Sequence, residues 1–267
     1  MIYCHLLYLK AMKAKVLCVY EEGSMVGTPL VGAEGLSMLI EADEERTLFD
    51  TGRKGKYLMR NLGHLDISPE SITRIVISHD HKDHIGGLDL FLEERETPVT
   101  VVANRDSLLA AEDRKTVTAT NASKVLKERT EGWTQLSGHL FALELPAAET
   151  RTLGGTEVVH ETALVLTARG GPVLITGCAH TGIISAMETV KRITGKDVQA
   201  VVGGVHLVRK KNYELDSIAS YLLHDVKTPL LYLNHCATPK SKTQLRTQLG
   251  LKGVREFYVG NEVVFDV

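Results

Sequence analysis

The sequence predicts an α+β protein in which two sheets pack together with helices on the outside. Three observations carry that expectation. Each half of the chain begins with short apolar, β-branched runs and continues as strands alternating with helical patterns. No repeat of fixed period is visible. Four of the strands run directly into a histidine, and carboxyl ends of strands are where α/β sheets gather their sites.

In the first half, Val16–Tyr20 reads as a strand. Leu36–Glu41 and Thr47–Asp50 flank the charged turn Asp43-Glu44-Glu45 as a hairpin would. Lys54–Leu62 reads as a helix, and Pro69–Ser71 begins a turn. Arg74–Ser78 is an apolar strand, Gly87–Glu94 a helix, Val99–Ala103 a strand and Asp106–Ala111 helical. Residues 113–150 have weak periodicity and hold the only tryptophan, Trp133. They are expected to be an insertion shaping a pocket, with strand near Gly138–Leu145.

In the second half, Thr162–Ala168 and Val173–Thr176 make a hairpin around Gly170-Gly171. Ile183–Ile193 reads as a helix with Ile183, Met187 and Val190 on one face and Gly195 as its stop. Val198–Val202 and Leu230–Leu233 are strands. Leu215–Leu223 is a helix by the spacing of Leu215, Ile218, Ala219 and Leu222. Lys242–Leu249 is a helix ended by Gly250. Phe257–Val259 and Val263–Phe265 read as a closing hairpin around Gly260-Asn261.

The bulk properties narrow the function class. A chain of 267 residues has material for one large domain or two small ones, and 13–267 is read as one, with 1–12 as an N-terminal extension. A net charge of −2 gives no electrostatic case for nucleic acid as the main partner. No apolar run approaches the roughly 20 residues needed to span a bilayer. The four cysteines, Cys4, Cys18, Cys178 and Cys236, form no C-x-x-C pair or disulfide framework, so a reducing, cytoplasmic setting is expected.

The run Ser78-His79-Asp80-His81-Lys82-Asp83-His84-Ile85-Gly86-Gly87 places three histidines and two aspartates in six positions. Imidazole and carboxylate suit zinc and its first-row neighbours. H-x-H-x-D-H should arise by chance roughly once in a thousand such chains. His79 and His81 alternate by two and point to one side of an extended chain. Asp83 and His84 follow after a turn and can serve a second metal. The other strand-end histidines are His180, His206 and His235, which would join the first run if their strands are neighbours. His160, beside Glu161, reads as structural but is retained as a candidate ligand. Cys178 and Cys236 are either ligands or small buried hydrophobes.

His79-x-His81-x-Asp83-His84 with Gly86-Gly87-Leu88 resembles the signature of the metallo-β-lactamase superfamily, and Asp50-Thr51-Gly52 resembles its earlier acidic turn. Thr176-Gly177-Cys178-Ala179-His180-Thr181-Gly182-Ile183, Gly203-Gly204-Val205-His206-Leu207 and His235-Cys236-Ala237 resemble a subgroup of metal-dependent hydrolases that includes a methanopterin-pathway pterin synthase. The resemblance implies an αββα sandwich of two mixed sheets with a dinuclear site at one edge. It implies His79, His81 and His180 at one metal and Asp83, His84 and His235 at the other. It also exposes a departure: Cys178 stands where most of the superfamily has a bridging aspartate, so His180 or His206 would take over part of that role. The redox branch of the superfamily has Glu at the place of His81, which argues against oxygen reduction.

The expected activity is hydrolysis of a small anionic substrate, bearing phosphate or carboxylate, with two divalent ions. Zn is the first expectation, with Mn and Fe also compatible. A metal-bound water of lowered pKa would attack a carbon or phosphorus centre. Asp83 would ligate a metal and orient that water. His206, if not a ligand, would bind substrate or protonate the leaving group. Arg209, Lys210 and Lys211 are candidates for holding the anion. The alternatives are a synthase forming a C–N bond on a pterin diphosphate, a nuclease, and a non-catalytic metal-binding sensor.

Overall fold

In the computed structural model, residues 12–104, 125–129, 132–152, 155–226 and 229–267 are described. The first half comprises β1 (Lys13–Tyr20), β2 (Ser37–Ala42), β3 (Glu45–Phe49), α1 (Gly55–His64), β4 (Arg74–Ile77), α2 (Lys82–Ile85), α3 (Leu88–Glu93), β5 (Val99–Ala103) and β6 (Val125–Arg129). After it come β7 (Trp133–Gln135), β8 (Leu140–Glu144), β9 (Ala148–Thr152), β10 (Gly155–Val159), β11 (Thr162–Ala168) and β12 (Gly171–Thr176). The chain closes with α4 (Ile183–Thr194), β13 (Ala200–Gly203), α5 (Asn212–His224), β14 (Leu230–Leu233), α6 (Pro239–Gly253), β15 (Val254–Glu256) and β16 (Glu262–Asp266).

Two mixed seven-stranded sheets result. One has the order β16-β1-β2-β3-β4-β5-β6 and the other β15-β14-β13-β12-β11-β8-β7. In each sheet an antiparallel portion passes into a parallel portion, β3 to β6 in one and β12 to β15 in the other. Parallel strands need crossovers, and helices supply several of them.

Alternation along the strands divides their side chains between three cores. Val76, Val173, Ile175, Val202 and Tyr232 point between the sheets, together with Met38, Ile40 and Phe49. Ile75 and Ile77 point outward onto Leu58, Leu62, Phe91 and Leu92 of α1 and α3. Leu174, Val201, Leu231 and Leu233 point outward onto Ala186, Val190, Leu215, Ile218 and Leu222 of α4 and α5. Strands buried on both faces read as continuous apolar runs, which explains why these segments were legible as strands. The architecture is the expected αββα sandwich.

Local chemistry accounts for several boundaries. The β2–β3 turn holds Asp43 at φ 55° and Glu44 at φ 64°, the left-handed pair that a two-residue hairpin requires. Gly195 ends α4 at φ 70°. Thr238 caps α6, accepting the Ser241 N–H at 3.2 Å, and Gly250 breaks that helix at φ 74°.

Two expectations change. Residues 125–129, 133–135 and 140–144 are strands of the two sheets, so this part of 113–150 belongs to the sandwich and is not an insertion. The edge positions of 125–129 and 133–135 explain their weak hydrophobic periodicity. Residues 113–124 and the expected helix at 106–111 lie outside the described residues, as does 1–11 of the N-terminal extension. The closing hairpin does not form: Phe257–Val259 is not a strand, Val259 makes only an isolated bridge to Ser24, and β16 pairs with β1.

Candidate metal centre

The parallel strands β12, β13 and β14 lie side by side, and their carboxyl ends deliver His180, His206 and His235 to one edge of the sandwich. The end of β4 delivers His79 and His81 to the same place from the other sheet, and α2 adds Asp83 and His84. Ring centroids of His79 and His180 are 4.9 Å apart, His84 and His235 4.9 Å, and His180 and His206 4.4 Å. Tight turns make the convergence possible, with Ala179, His206 and His235 all at positive φ.

Backbone and carboxylate partners set the ring orientations. Asp50, fully buried at φ 62°, accepts the Ser78 N–H at 2.7 Å, the Ser78 hydroxyl at 2.7 Å and His84 Nδ1 at 2.7 Å. Because the Ser78 proton goes to Asp50, its oxygen accepts from His79 Nδ1 at 2.8 Å. Glu22 accepts from His235 Nδ1 at 2.9 Å. Fixing a proton on Nδ1 leaves Nε2 as a lone pair, and this is how proteins orient metal-binding imidazoles.

Imidazole Nε2 atoms face one another in two pairs. His79 Nε2 is 3.3 Å from His180 Nε2, and His84 Nε2 is 3.1 Å from His235 Nε2. Two nitrogens bound tetrahedrally to zinc at about 2.05 Å would be about 3.3 Å apart. Asp83 Oδ2 lies 3.3 Å from His235 Nε2 and 4.0 Å from His84 Nε2. Four imidazole Nε2 atoms and a carboxylate oxygen at these spacings form a donor set that fits a divalent ion at each pair.

Cys178 sits between the two pairs. Its Sγ lies within 4.8 Å of ligand atoms of His79 and His180, and also of His84 and His235. It is 3.4 Å from His84 Nε2. This is the place at which a bridging group would sit. A third group joins Cys178, His206 and Cys236, where Cys236 Sγ accepts the His206 N–H at 3.0 Å.

The electrostatics agree with a cation-binding site. Burial and the neighbouring histidines hold His79 well below the ordinary imidazole range, and the same causes push His180 down to about 2. Both are therefore neutral, as metal ligands must be. Burial would pull His235 down too, but Asp83 and Glu22 outweigh it and push it well up. Burial acts to raise Asp83, yet His235 and His84 hold it below the usual carboxylate range. This negative charge around His235 would favour a metal ion equally. Burial pushes the Cys178 thiol up, so it would ligate as thiolate only against a bound cation.

The remaining candidates are placed differently. His81 packs 4.5 Å from His79 and 4.9 Å from His180, but its Nε2 meets Glu157 of β10 at 2.7 Å. Among the described residues, neither His81 nor His160 falls within the close ligand groups. The His160 carbonyl accepts from Asn104 at 2.8 Å. Arg209 is exposed at φ 65°. Lys210 Nζ meets Glu214 at 3.1 Å, and the Lys211 N–H donates to the same carboxylate at 2.9 Å, so both residues serve the start of α5.

Glu161 is a site residue that the sequence reading missed. It is buried, and its carboxylate accepts the N–H groups of Cys178 at 2.7 Å, Ala179 at 2.8 Å and His180 at 2.8 Å. It thereby shapes the turn that carries two candidate ligands. Glu22 and Glu157 were missed as well. Glu161 stands directly before a strand and Glu22 two residues after one, which are the available signals; nothing local marks Glu157.

Comparison with known proteins agrees with this geometry. Residues 31–223 match the model of the metallo-beta-lactamase superfamily. A 7,8-dihydropterin-6-methyl-4-(beta-D-ribofuranosyl)-aminobenzene-5'-phosphate synthase of Methanocaldococcus jannaschii is 28% identical over 242 residues, covering 78% of this chain and 82% of the relative. A solved metal-dependent hydrolase of the beta-lactamase superfamily superposes with a TM-score of 0.71 at 21% identity, covering 94% of this chain and 98% of its own. A diphosphatase of the PhnP family gives a TM-score of 0.63 at 16% identity, covering 95% and 98%. The two solved structures establish a shared fold, and the match to the family model covers well over half of the chain. With its metal-type histidines at the expected sheet edge, the chain belongs to the metallo-beta-lactamase superfamily.

Proposed function

We propose that the protein is a metal-dependent hydrolase that uses two divalent ions, Zn in the first instance, on a small substrate bearing phosphate or carboxylate. The observation that carries this reading is the pair of facing Nε2 contacts, His79–His180 at 3.3 Å and His84–His235 at 3.1 Å. When bound, the ions would supply Lewis-acid polarisation and a water of lowered pKa. His79 and His180 would hold one ion, and His84, His235 and Asp83 the other, with Cys178 between them. Asp83 is only partly buried, with 27% of its side chain exposed, so it can also orient a reacting water. His206 packs against His180 with the rings tilted by 44° and would offer an imidazole to the leaving group. Asp50, Glu22 and Glu161 hold the ligands in place.

Metal analysis of the purified protein should find about two equivalents. Hydrolysis of generic phosphodiester or diphosphate substrates should be abolished by Asp83→Ala. A metal-free protein of equal stability would overturn the reading. The 28% identical synthase favours a second reading, in which the same residues would hold ions that ease loss of diphosphate from a pterin diphosphate, while an aminobenzene nitrogen forms the C–N bond and releases its proton. Turnover of a pterin diphosphate with an aminobenzene acceptor, and none with water, would select it. Metal binding with no turnover of either kind would select a sensor.

A further inference from the structure

A cavity of ≈ 620 Å³ opens between the segment 31–34 and the start of α1, with Lys82, the chain neighbour of His81 and Asp83, in its wall. This is within the size range of small-molecule sites, about 300–1,000 Å³. Its walls include Tyr20, Arg53, Lys54, Tyr57 and Lys82, with Glu34 as the one acidic residue. Arg53 is neutralised by Glu34 at 2.5 Å. Lys54 and Lys82 have no ion-pair partner among the described residues, which leaves two ammonium charges uncompensated at the cavity wall.

Tyr20 adds a directed donor. Its side chain is buried, with 1% exposed, and its hydroxyl oxygen accepts the Lys54 N–H at 3.2 Å. No described acceptor takes its own proton, so the O–H is free to donate into the cavity that the residue lines. A buried hydroxyl without an acceptor is costly, and a ligand oxygen would satisfy it. The first turn of α1 contains no acidic residue and no side-chain cap, so its N-terminal partial positive charge faces the same space.

The cavity is built into the frame of the metal centre. Lys82 lies between His81 and Asp83 in the chain. The Leu36 N–H donates to the Asp83 carbonyl at 3.1 Å, and a Cβ on Gly35 would lie 2.3 Å from that oxygen. The Gly35 N–H also reaches Glu22, the partner of His235, at 3.4 Å.

We propose that this cavity binds the phosphate monoester group of a substrate, through Lys54, Lys82 and the Tyr20 hydroxyl. Two free ammonium groups match a group carrying close to two negative charges better than a single carboxylate does. The cavity is also much larger than phosphate alone, which leaves room for the organic part of a substrate. As a substrate subsite this rests on the hydrolase reading, but the binding itself does not need the metals. Of the earlier candidates 209–211, Lys210 is already paired with Glu214.

The test is calorimetric titration of the full-length protein with inorganic phosphate, as purified and after chelation of its metals. Saturable binding should persist in the chelated protein. Lys54→Ala and Lys82→Ala should each weaken it about tenfold. Tyr20→Phe, which keeps the ring, should weaken it several-fold. No binding to the chelated protein, or binding indifferent to both lysine substitutions, would overturn the proposal and leave the hydrolase reading intact. Lysine-dependent binding by a protein that takes up no metal would support the cavity and remove the hydrolase reading.

Discussion

The buried carboxylate of Asp50 holds His84 Nδ1 at 2.7 Å and the Ser78 N–H at the same distance, so one side chain sets the ring directions of both His84 and, through Ser78, His79. The two histidines belong to different facing pairs, His79 with His180 and His84 with His235. Asp50→Ala should therefore lower affinity at both positions, by about 10–100-fold as for other ligand-orienting carboxylates. It also leaves buried donors without an acceptor, at a cost of about 3 kcal/mol in stability. Metal titration and urea denaturation read the two effects separately.

His84→Ala should remove one metal equivalent and leave the His79–His180 position occupied. Elemental analysis of the purified variant checks this. Retention of the full wild-type metal content would count against two separate ions.

Cys178 offers a spectroscopic prediction. With cobalt in place of the native metal, a ligating thiolate gives a sulfur-to-metal charge-transfer band in the near ultraviolet. Cys178→Ser should abolish that band, whereas Cys236→Ser should preserve it, because Cys236 lies only in the group with His206 and Cys178.

Glu161→Ala removes the acceptor of three backbone N–H groups at 2.7–2.8 Å. The Cys178–His180 turn should loosen, with a loss of about 3 kcal/mol. Metal bound by His180 should be lost before metal bound by His84 and His235. Glu161→Gln keeps an acceptor oxygen and should recover part of both losses.

Asp43 ties the β2–β3 turn to the second sheet, accepting His139 Nδ1 at 2.5 Å, the His139 N–H at 2.7 Å and the Ser137 hydroxyl at 2.7 Å. Burial acts to raise its pKa, but these partners outweigh it and hold the carboxyl below its ordinary value. Because the folded pKa is the lower one, the stabilisation is present above the ordinary carboxylate pKa of about 4. It is lost as pH falls through the folded value. Asp43→Asn should cost about 1–2 kcal/mol at neutral pH and flatten this part of the acid-unfolding curve. Denaturation midpoints between pH 3 and pH 7 test it.

Much of the fold was legible because strands such as Arg74–Ile77 and Leu230–Leu233 are buried on both faces and read as apolar runs. Helix stops at Gly195 and Gly250 were legible because glycine at positive φ is a local signal. The split of β15 and β16 between two sheets was not, since it depends on which distant edge each strand meets. Nor was the sheet membership of Trp133–Gln135, where an edge strand only partly buried loses its pattern.

The dense run His79 to His84 by itself determined that this is a metal-type site, because ligand chemistry and short spacing are properties of neighbouring residues. Tertiary structure alone decided that His79 faces His180, that His84 faces His235, and that His81 turns to Glu157. It likewise decided that Cys178 stands between the pairs and that Asp50, Glu22 and Glu161 hold them. Those relations join residues up to 213 positions apart, brought together by two sheets packing on a common core, and no local pattern encodes them.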